Sequence, residues 1–282
     1  MTQALMTGQV AMITGAGSGI GRAAALKFAQ AGARVVLGDV TGAEEETAEM
    51  VRAAGGQAAS LRMDAGQEPD VIAGIELAQK EFGRLDAVFA NAGITGTTGG
   101  REFLEHTPEA WAEVLRVNLI GPFLAIKHAV PVMKAQGGGS IVATASVAGI
   151  RANAGPVAYS ASKAGVMNLV QTAAQDLRGT GIRVNAICPG LVETGMTKLY
   201  YDFARATGNE QRLGHTNPME RGGQPEEIAD VALFLCSPMA SFVNGQALPV
   251  DGGLSSGHPT GPKIDPKLVE RVLAAKRAET AG

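Results

Sequence analysis

Short, continuously apolar runs alternate along this chain with longer stretches in which apolar residues recur every three or four positions. The runs at 10–14, 34–38, 85–90, 140–145, 182–188 and 246–250, and the more mixed stretch 57–63 that ends at Asp64, predict strands, because a strand covered on both faces need not alternate with polar residues. Helical periodicity follows the glycines near position 20, ends a second time at Gly55-Gly56, and returns over 69–82, 109–134, 156–178 and 225–236. There is no repeat and no mid-chain linker. The expected fold class is therefore α/β, one domain built on a parallel sheet with helices on both faces, spanning residues 1–253.

Two stretches break the rhythm. Residues 195–215 hold Met196, Leu199, Tyr200, Tyr201, Phe203 and Leu213, and are read as a lid that keeps water from a substrate; a surface hairpin packed by its own aromatics fits the same pattern. Residues 254–282 begin rich in proline and glycine and then place Leu268, Val269, Val272 and Leu273 at helical spacing. This extension is expected either to pack on a neighbouring subunit or to remain a disordered tail.

Composition removes several classes of function. The 282 residues carry a net charge of -3 without a block of like charges, so neither nucleic acid nor an anionic membrane is an expected partner. No basic segment followed by an apolar one opens the chain, and no apolar run is long enough to span a bilayer, which makes a cytoplasmic protein the expectation. Cys188 and Cys236 lack C-x-x-C spacing, and His106, His128, His215 and His258 lie far apart. Neither a disulfide nor a metal site is expected. The 38 glycines, about twice the usual share, point to many tight turns.

Candidate chemistry starts at the first strand. It runs directly into Gly15-Ala-Gly-Ser-Gly-Ile-Gly21 and then into a helix, the order in which a backbone can approach a pyrophosphate at a helix N-terminus. The second strand ends at Asp39, placed to accept hydrogen bonds from a ribose, where a 2'-phosphate would be repelled. Ser18 and Val40 offer that phosphate no cation, so NAD is expected over NADP. Asp64, at the end of the third strand, either bonds an adenine edge or closes a turn. Small residues at Asn91-Ala92-Gly93 would let a cofactor lie on the backbone, and Thr194 would bond a carboxamide or cap a helix. Tyr159 and Lys163 are four apart in a helix and share one face. A nearby ammonium favours the phenolate, so Tyr159 is expected to exchange a proton near neutral pH. Asn118 sits inside the 109–134 helix beside Gly121-Pro122, either tolerated there or holding a water or backbone group that links Lys163 to solvent.

Together, Thr14-Gly15-x-x-x-Gly19-x-Gly21, Asn91-Ala92-Gly93, Asn118, Ser146, Tyr159-x-x-x-Lys163, Pro189-Gly190 and Thr194 resemble the short-chain dehydrogenase/reductase family over about residues 8–253. The resemblance implies a Rossmann-type, doubly wound, seven-stranded parallel sheet, often assembled as a homotetramer. It also implies NAD(P)-dependent interconversion of an alcohol and a ketone. Tyr159 is then the acid/base, helped by Lys163, with Ser146 bonding the substrate oxygen and Asn118 ordering the proton path. The same likeness puts Gly15, Ser18, Gly19, Ile20 and Gly21 at the phosphates and Asp39, Asp64 and Ala65 at the adenosine. Asn91, Ala92, Gly93, Tyr159, Lys163, Pro189, Gly190, Val192 and Thr194 fall on the nicotinamide half. Ala90, where the family more often has asparagine, is a departure.

The substrate expected from the apolar lid is a bulky, cyclic or aryl secondary alcohol. A ketoacyl-type reductase using NADPH is the alternative, against which Asp39 argues. A non-catalytic dinucleotide sensor or scaffold is a third reading, and it would have no need to keep Ser146, Tyr159 and Lys163 together.

Overall fold

A computed structural model describes residues 5–96, 103–210, 213, 217–257 and 270–271. An inner strand of its sheet is β1 (Val10–Thr14), every residue of which is buried. Side chains along it alternate between two cores, Val10 and Met12 entering one, Ala11 and Ile13 the other. A strand packed on both faces is apolar where it meets both cores, which is why Val10–Ile13 reads as an unbroken run that Thr14 closes. β2 (Arg34–Asp39) and β4 (Ala87–Ala90) flank it. Outside them lie β3 (Gln57–Arg62) on one side and β5 (Gly139–Thr144), β6 (Ile182–Pro189) and β7 (Ala247–Val250) on the other. All seven strands are parallel, in the order β3-β2-β1-β4-β5-β6-β7.

Helices close both faces. α1 (Gly19–Gln30), α2 (Glu44–Ala53) and α8 (Pro225–Cys236) cover the side of Ala11 and Ile13, where Phe28 and Phe89 stack with centroids 6.4 Å apart. α3 (Glu68–Phe82), α5 (Gly121–Ala135) and α6 (Val157–Asp176) cover the side of Val10 and Met12. The chain passes from β3 at one edge back across β1 to β4. At that reversal the flanking connections diverge and open a cleft over the carboxyl ends of the strands.

Three expectations need correction or completion. The segment 109–134 is not one helix: α4 (Pro108–Leu115) passes into a π-turn, Arg116–Ile120, before α5 begins. Pro122 has no N–H to give the Asn118 carbonyl, which breaks the regular ladder at this point. Gly121 also rests on the loop after β3, where a Cβ would lie 2.9 Å from the Ala65 carbonyl oxygen. Of the 195–215 stretch, α7 (Lys198–Ala206) is a helix, while 211–212 and 214–216 lie outside the described residues. The apolar stripe expected at 268–273 likewise falls almost entirely outside them. Among the described residues no helix is long and apolar enough to cross a membrane, and no cluster suited to a metal ion occurs.

Candidate active site

The loop between β1 and α1 is shaped by what its glycines must avoid. Gly15 and Gly19 have φ of +67° and +51°, a region that side chains disfavour. At Gly21 a Cβ would lie 1.9 Å from the Gly15 carbonyl oxygen, so only glycine lets the helix start this close to the strand. Thr14 Oγ1 accepts from the Asn91 and Ala92 N–H groups, both at 3.0 Å, and Asn91 Nδ2 donates to the Thr14 carbonyl. Thr144 Oγ1 in turn donates to Asn91 Oδ1. The ends of β1, β4 and β5 are thereby laced into one rigid floor.

Asp39 closes the loop from the side. Its Oδ2 accepts from Gly17 N at 2.9 Å, and its Oδ1 from Thr41 N and Thr41 Oγ1. The carboxylate is held at the end of β2 without a neighbouring cation among its hydrogen-bond partners. Such a glycine cradle with an oriented acceptor beside it fits an adenosine diphosphate moiety whose ribose hydroxyls donate.

At the other end of the cleft, Ser146 follows β5, its Oγ accepting from Ala148 N at 3.1 Å, and lines the cleft with Tyr159, which is half-buried in the first turn of α6. One turn on, Lys163 is 2% exposed, and its Nζ donates to the Thr144 carbonyl at 2.7 Å. Asn118 is buried behind them. Its Oδ1 accepts from Ile94 N and its Nδ2 donates to the Ile94 carbonyl, both at 2.8 Å, and also to Ser162 Oγ at 3.1 Å. Ser162 Oγ donates to the Tyr159 carbonyl at 2.6 Å. Asn118 thus holds the Ile94 backbone and, through Ser162, the Tyr159 carbonyl. The Asn118 amide and Lys163 Nζ both crowd Gly93, where a Cβ would sit 3.3 Å from Asn118 Oδ1 and 3.2 Å from Nζ.

Electrostatics correct one expectation. Burial raises the Tyr159 phenol above its ordinary value, and the Ser146 hydroxyl beside it opposes this. Lys163 Nζ is aimed at the Thr144 carbonyl and stands 5.5 Å from the Tyr159 ring centroid, so it is not hydrogen-bonded to the phenol, and the net shift of the phenol is upward. Burial acts on the ammonium as well, lowering it from 10.5 to about 8. Proximity on a helix face was legible in the sequence; the desolvation of both groups was not.

The cleft encloses about 550 Å³ and is lined by every candidate residue named from the sequence except Gly21 and Asn118, which stand behind its wall. Asp64 is not free: Arg116 Nη1 lies 2.9 Å from its Oδ2, and Gly66 N donates to its Oδ1. Burial opposes ionisation of Asp64, but the Arg116 and Gly66 contacts outweigh it and hold the carboxyl below its usual range. Met196 and Thr197 bring the start of the 195–215 stretch to the cleft. In α7, Tyr201 is buried under the Arg205 guanidinium, which pairs with Glu193, while Leu199, Tyr200 and Phe203 face outward. Sequence reading passed over Thr144, Ser162, Ile94 and Arg116. The first three act through ordinary hydroxyl and backbone groups that carry no signature, and Arg116 reads as a helix-surface charge.

Comparison with known proteins gives concordant results. The family described as enoyl-(acyl carrier protein) reductase matches residues 15–255. The chain is 40% identical over 252 residues to 3-oxoacyl-(acyl-carrier-protein) reductase FabG of Thermotoga maritima, covering 88% of this chain and 98% of that one. It is 41% identical over 248 residues to cis-4-hydroxycyclohexanecarboxylate dehydrogenase of Sinomonas cyclohexanicum, covering 88% and 97%. The crystal structure of levodione reductase superposes with a TM-score of 0.83 at 35% identity, over 90% of this chain and all of that one.

Proposed function

The chain belongs to the short-chain dehydrogenase/reductase family, and from that premise we propose that it is an NAD-dependent dehydrogenase interconverting a bulky cyclic or aryl secondary alcohol and its ketone. One observation carries the reading: Ser146, Tyr159 and Lys163 converge on one end of a cleft whose other end presents the Asp39 carboxylate beside a glycine cradle. The relative named for a hydroxycyclohexanecarboxylate favours the cyclic substrate, as do the apolar Ile94 and Met196 of the cleft wall.

A bound nicotinamide dinucleotide supplies the hydride acceptor or donor. Tyr159 exchanges the proton of the substrate oxygen, and Ser146 donates a hydrogen bond that stabilises charge developing on it. Lys163, its Nζ on the Thr144 carbonyl, would hold a ribose hydroxyl of the dinucleotide and stand near the phenol as a cation. Asn118 fixes the Ile94 backbone and the first turn of α6, and so the position from which Tyr159 acts. The stretch 195–215 is proposed as the cover that keeps bulk water out, with Met196 as its inner edge.

Turnover of a panel of cyclohexanols, aryl carbinols, terpenoid alcohols and steroids with NAD, followed by absorbance of the reduced cofactor, tests this. Absence of turnover of all of them with either dinucleotide overturns it. The FabG relative favours a second reading, reduction of a ketoacyl thioester with NADPH. Asp39 decides between them. Asp39→Ala is expected to lower the NAD-over-NADP ratio of kcat/KM by about tenfold or more, because the phosphate then meets no carboxylate. An unchanged ratio rules out Asp39 as the selector.

The proposed assembly is a homotetramer through α5 and α6, in keeping with the exposed apolar Ile120 and Phe123 at the start of α5. The proposed setting is cytoplasmic, in keeping with two buried, unpaired thiols. Residues 254–282 are proposed as an extension to the 1–253 domain. It leaves beside the loop joining Ser146 to Tyr159, where Arg151 Nη2 donates to the Ser255 and Gly257 carbonyls at 2.6 and 2.9 Å.

A further inference from the structure

Arg116 and Asn118 stand two residues apart in the π-turn and serve opposite ends of the cleft. Asn118 holds Ile94 and, through Ser162, the turn that carries Tyr159. Arg116 reaches the loop after β3. Its Nε and Nη2 form a fork on Glu113, each bond 2.8 Å, which fixes the plane of the guanidinium. Nη1 is then set 2.9 Å from Asp64 Oδ2, and the arginine is held firmly charged between the two carboxylates. Nη1 is buried and makes no directed hydrogen bond, so the contact with Asp64 is chiefly one of charge.

The loop is built around this group. A Cβ at Gly66 would lie 2.3 Å from Arg116 Nη1, and a Cβ at Gly121 would lie 2.9 Å from the Ala65 carbonyl oxygen. A side chain at Gly121 would press on the loop backbone, and one at Gly66 would displace the Arg116 guanidinium from its place. Asp64, Ala65, Glu113, Arg116 and Val117 all line the cleft beyond Asp39. β3 is the outermost strand on that side, so a dinucleotide lying across the switch point places its purine there.

We propose that Arg116 is a positioning residue for the adenine end of the cofactor. It keeps the Asp64 carboxylate charged and oriented toward the base. The inference rests on the dinucleotide reading above. Its chemistry is specific: adenine carries a 6-amino donor that a carboxylate accepts, whereas hypoxanthine has a carbonyl there and offers none.

The test compares NAD with nicotinamide hypoxanthine dinucleotide, by calorimetric Kd and by steady-state rates. Subjects are the wild type, Arg116→Gln, Arg116→Lys, Asp64→Asn and the Arg116→Gln/Asp64→Asn pair. The wild type is expected to bind NAD about tenfold more tightly than the hypoxanthine analogue. Arg116→Gln should weaken NAD about tenfold, erase most of that base preference and leave kcat at saturating NAD within about twofold. Arg116→Lys, which keeps charge without the fork, should fall between, and Arg116→Gln should add little to Asp64→Asn. Affinity lost equally for both dinucleotides, a retained base preference, or a fall in kcat at unchanged KM overturns the role, because each marks Arg116 as only structural. A wild type that binds neither dinucleotide overturns the cofactor reading and this inference with it.

Discussion

Tyr159→Phe is expected to lower kcat for alcohol oxidation by about 10²- to 10⁴-fold, the range over which a positioned general acid/base contributes. The ring stays in the first turn of α6, and Asn118, Ser162 and Thr144 keep their hydrogen bonds because none of them uses the phenol oxygen. KM for NAD should therefore remain within about twofold, since only the transition state loses a partner. Burial gives the same residue a pH signature. With its phenol raised, Tyr159 is protonated at neutral pH, so it is ready to give a proton to a ketone but not to take one from an alcohol. Oxidation by the wild type should climb on the alkaline side of neutrality, reduction should not, and the climb should be missing in Tyr159→Phe. Residual turnover above about a tenth of wild type would refute the acid/base role, because no such term is that small.

These expectations depend on features of unequal visibility in the sequence. β1 was readable because an inner parallel strand is buried on both faces and so apolar over Val10–Ile13, and the loop after it because Gly21 has no substitute beside the Gly15 carbonyl. The edge strand β3, with its polar and half-buried QAASLR, shows why the signal fades outward: one flank lacks a neighbour, so the constraint on composition relaxes. Helical spacing put Tyr159 and Lys163 on one face. It carried no information about where Nζ points, which is set by Thr144 and Gly93 from two other elements. Arg116 was hidden for a related reason. In a continuous helix it sits one turn after Glu113 and looks like half of a surface pair, and only the π-turn turns it onto Asp64 as well. What escaped the sequence was in each case a sum over several segments.

Lys163→Met is expected to abolish turnover and at the same time to stabilise the ligand-free fold at neutral pH. The ammonium is 2% exposed, and the Thr144 carbonyl is the hydrogen-bond partner it has among the described residues. Its value in the folded chain, about 8, lies below the 10.5 of the free group, so folding disfavours the charged form. The sign follows from proton counts. Between about pH 8 and pH 10.5 the unfolded chain binds more protons than the folded one, so stability rises with pH across that window; below it both states are charged and the full penalty applies. That penalty is about 3 kcal/mol, and methionine removes it while filling much of the same volume. Losing the bond to Thr144 returns about 2 kcal/mol, which leaves a net gain of about 1 kcal/mol. For a chain of this length the gain is a rise in Tm of about 2 °C at pH 7. Melts of both proteins at pH 7 and near pH 10 should show the difference shrinking as the wild-type lysine discharges. A variant that melts below the wild type at pH 7 would show that the ammonium stabilises its pocket. The measured order of stabilities thus separates a lysine retained for chemistry at a cost to the fold from one that helps to hold α6 against β5.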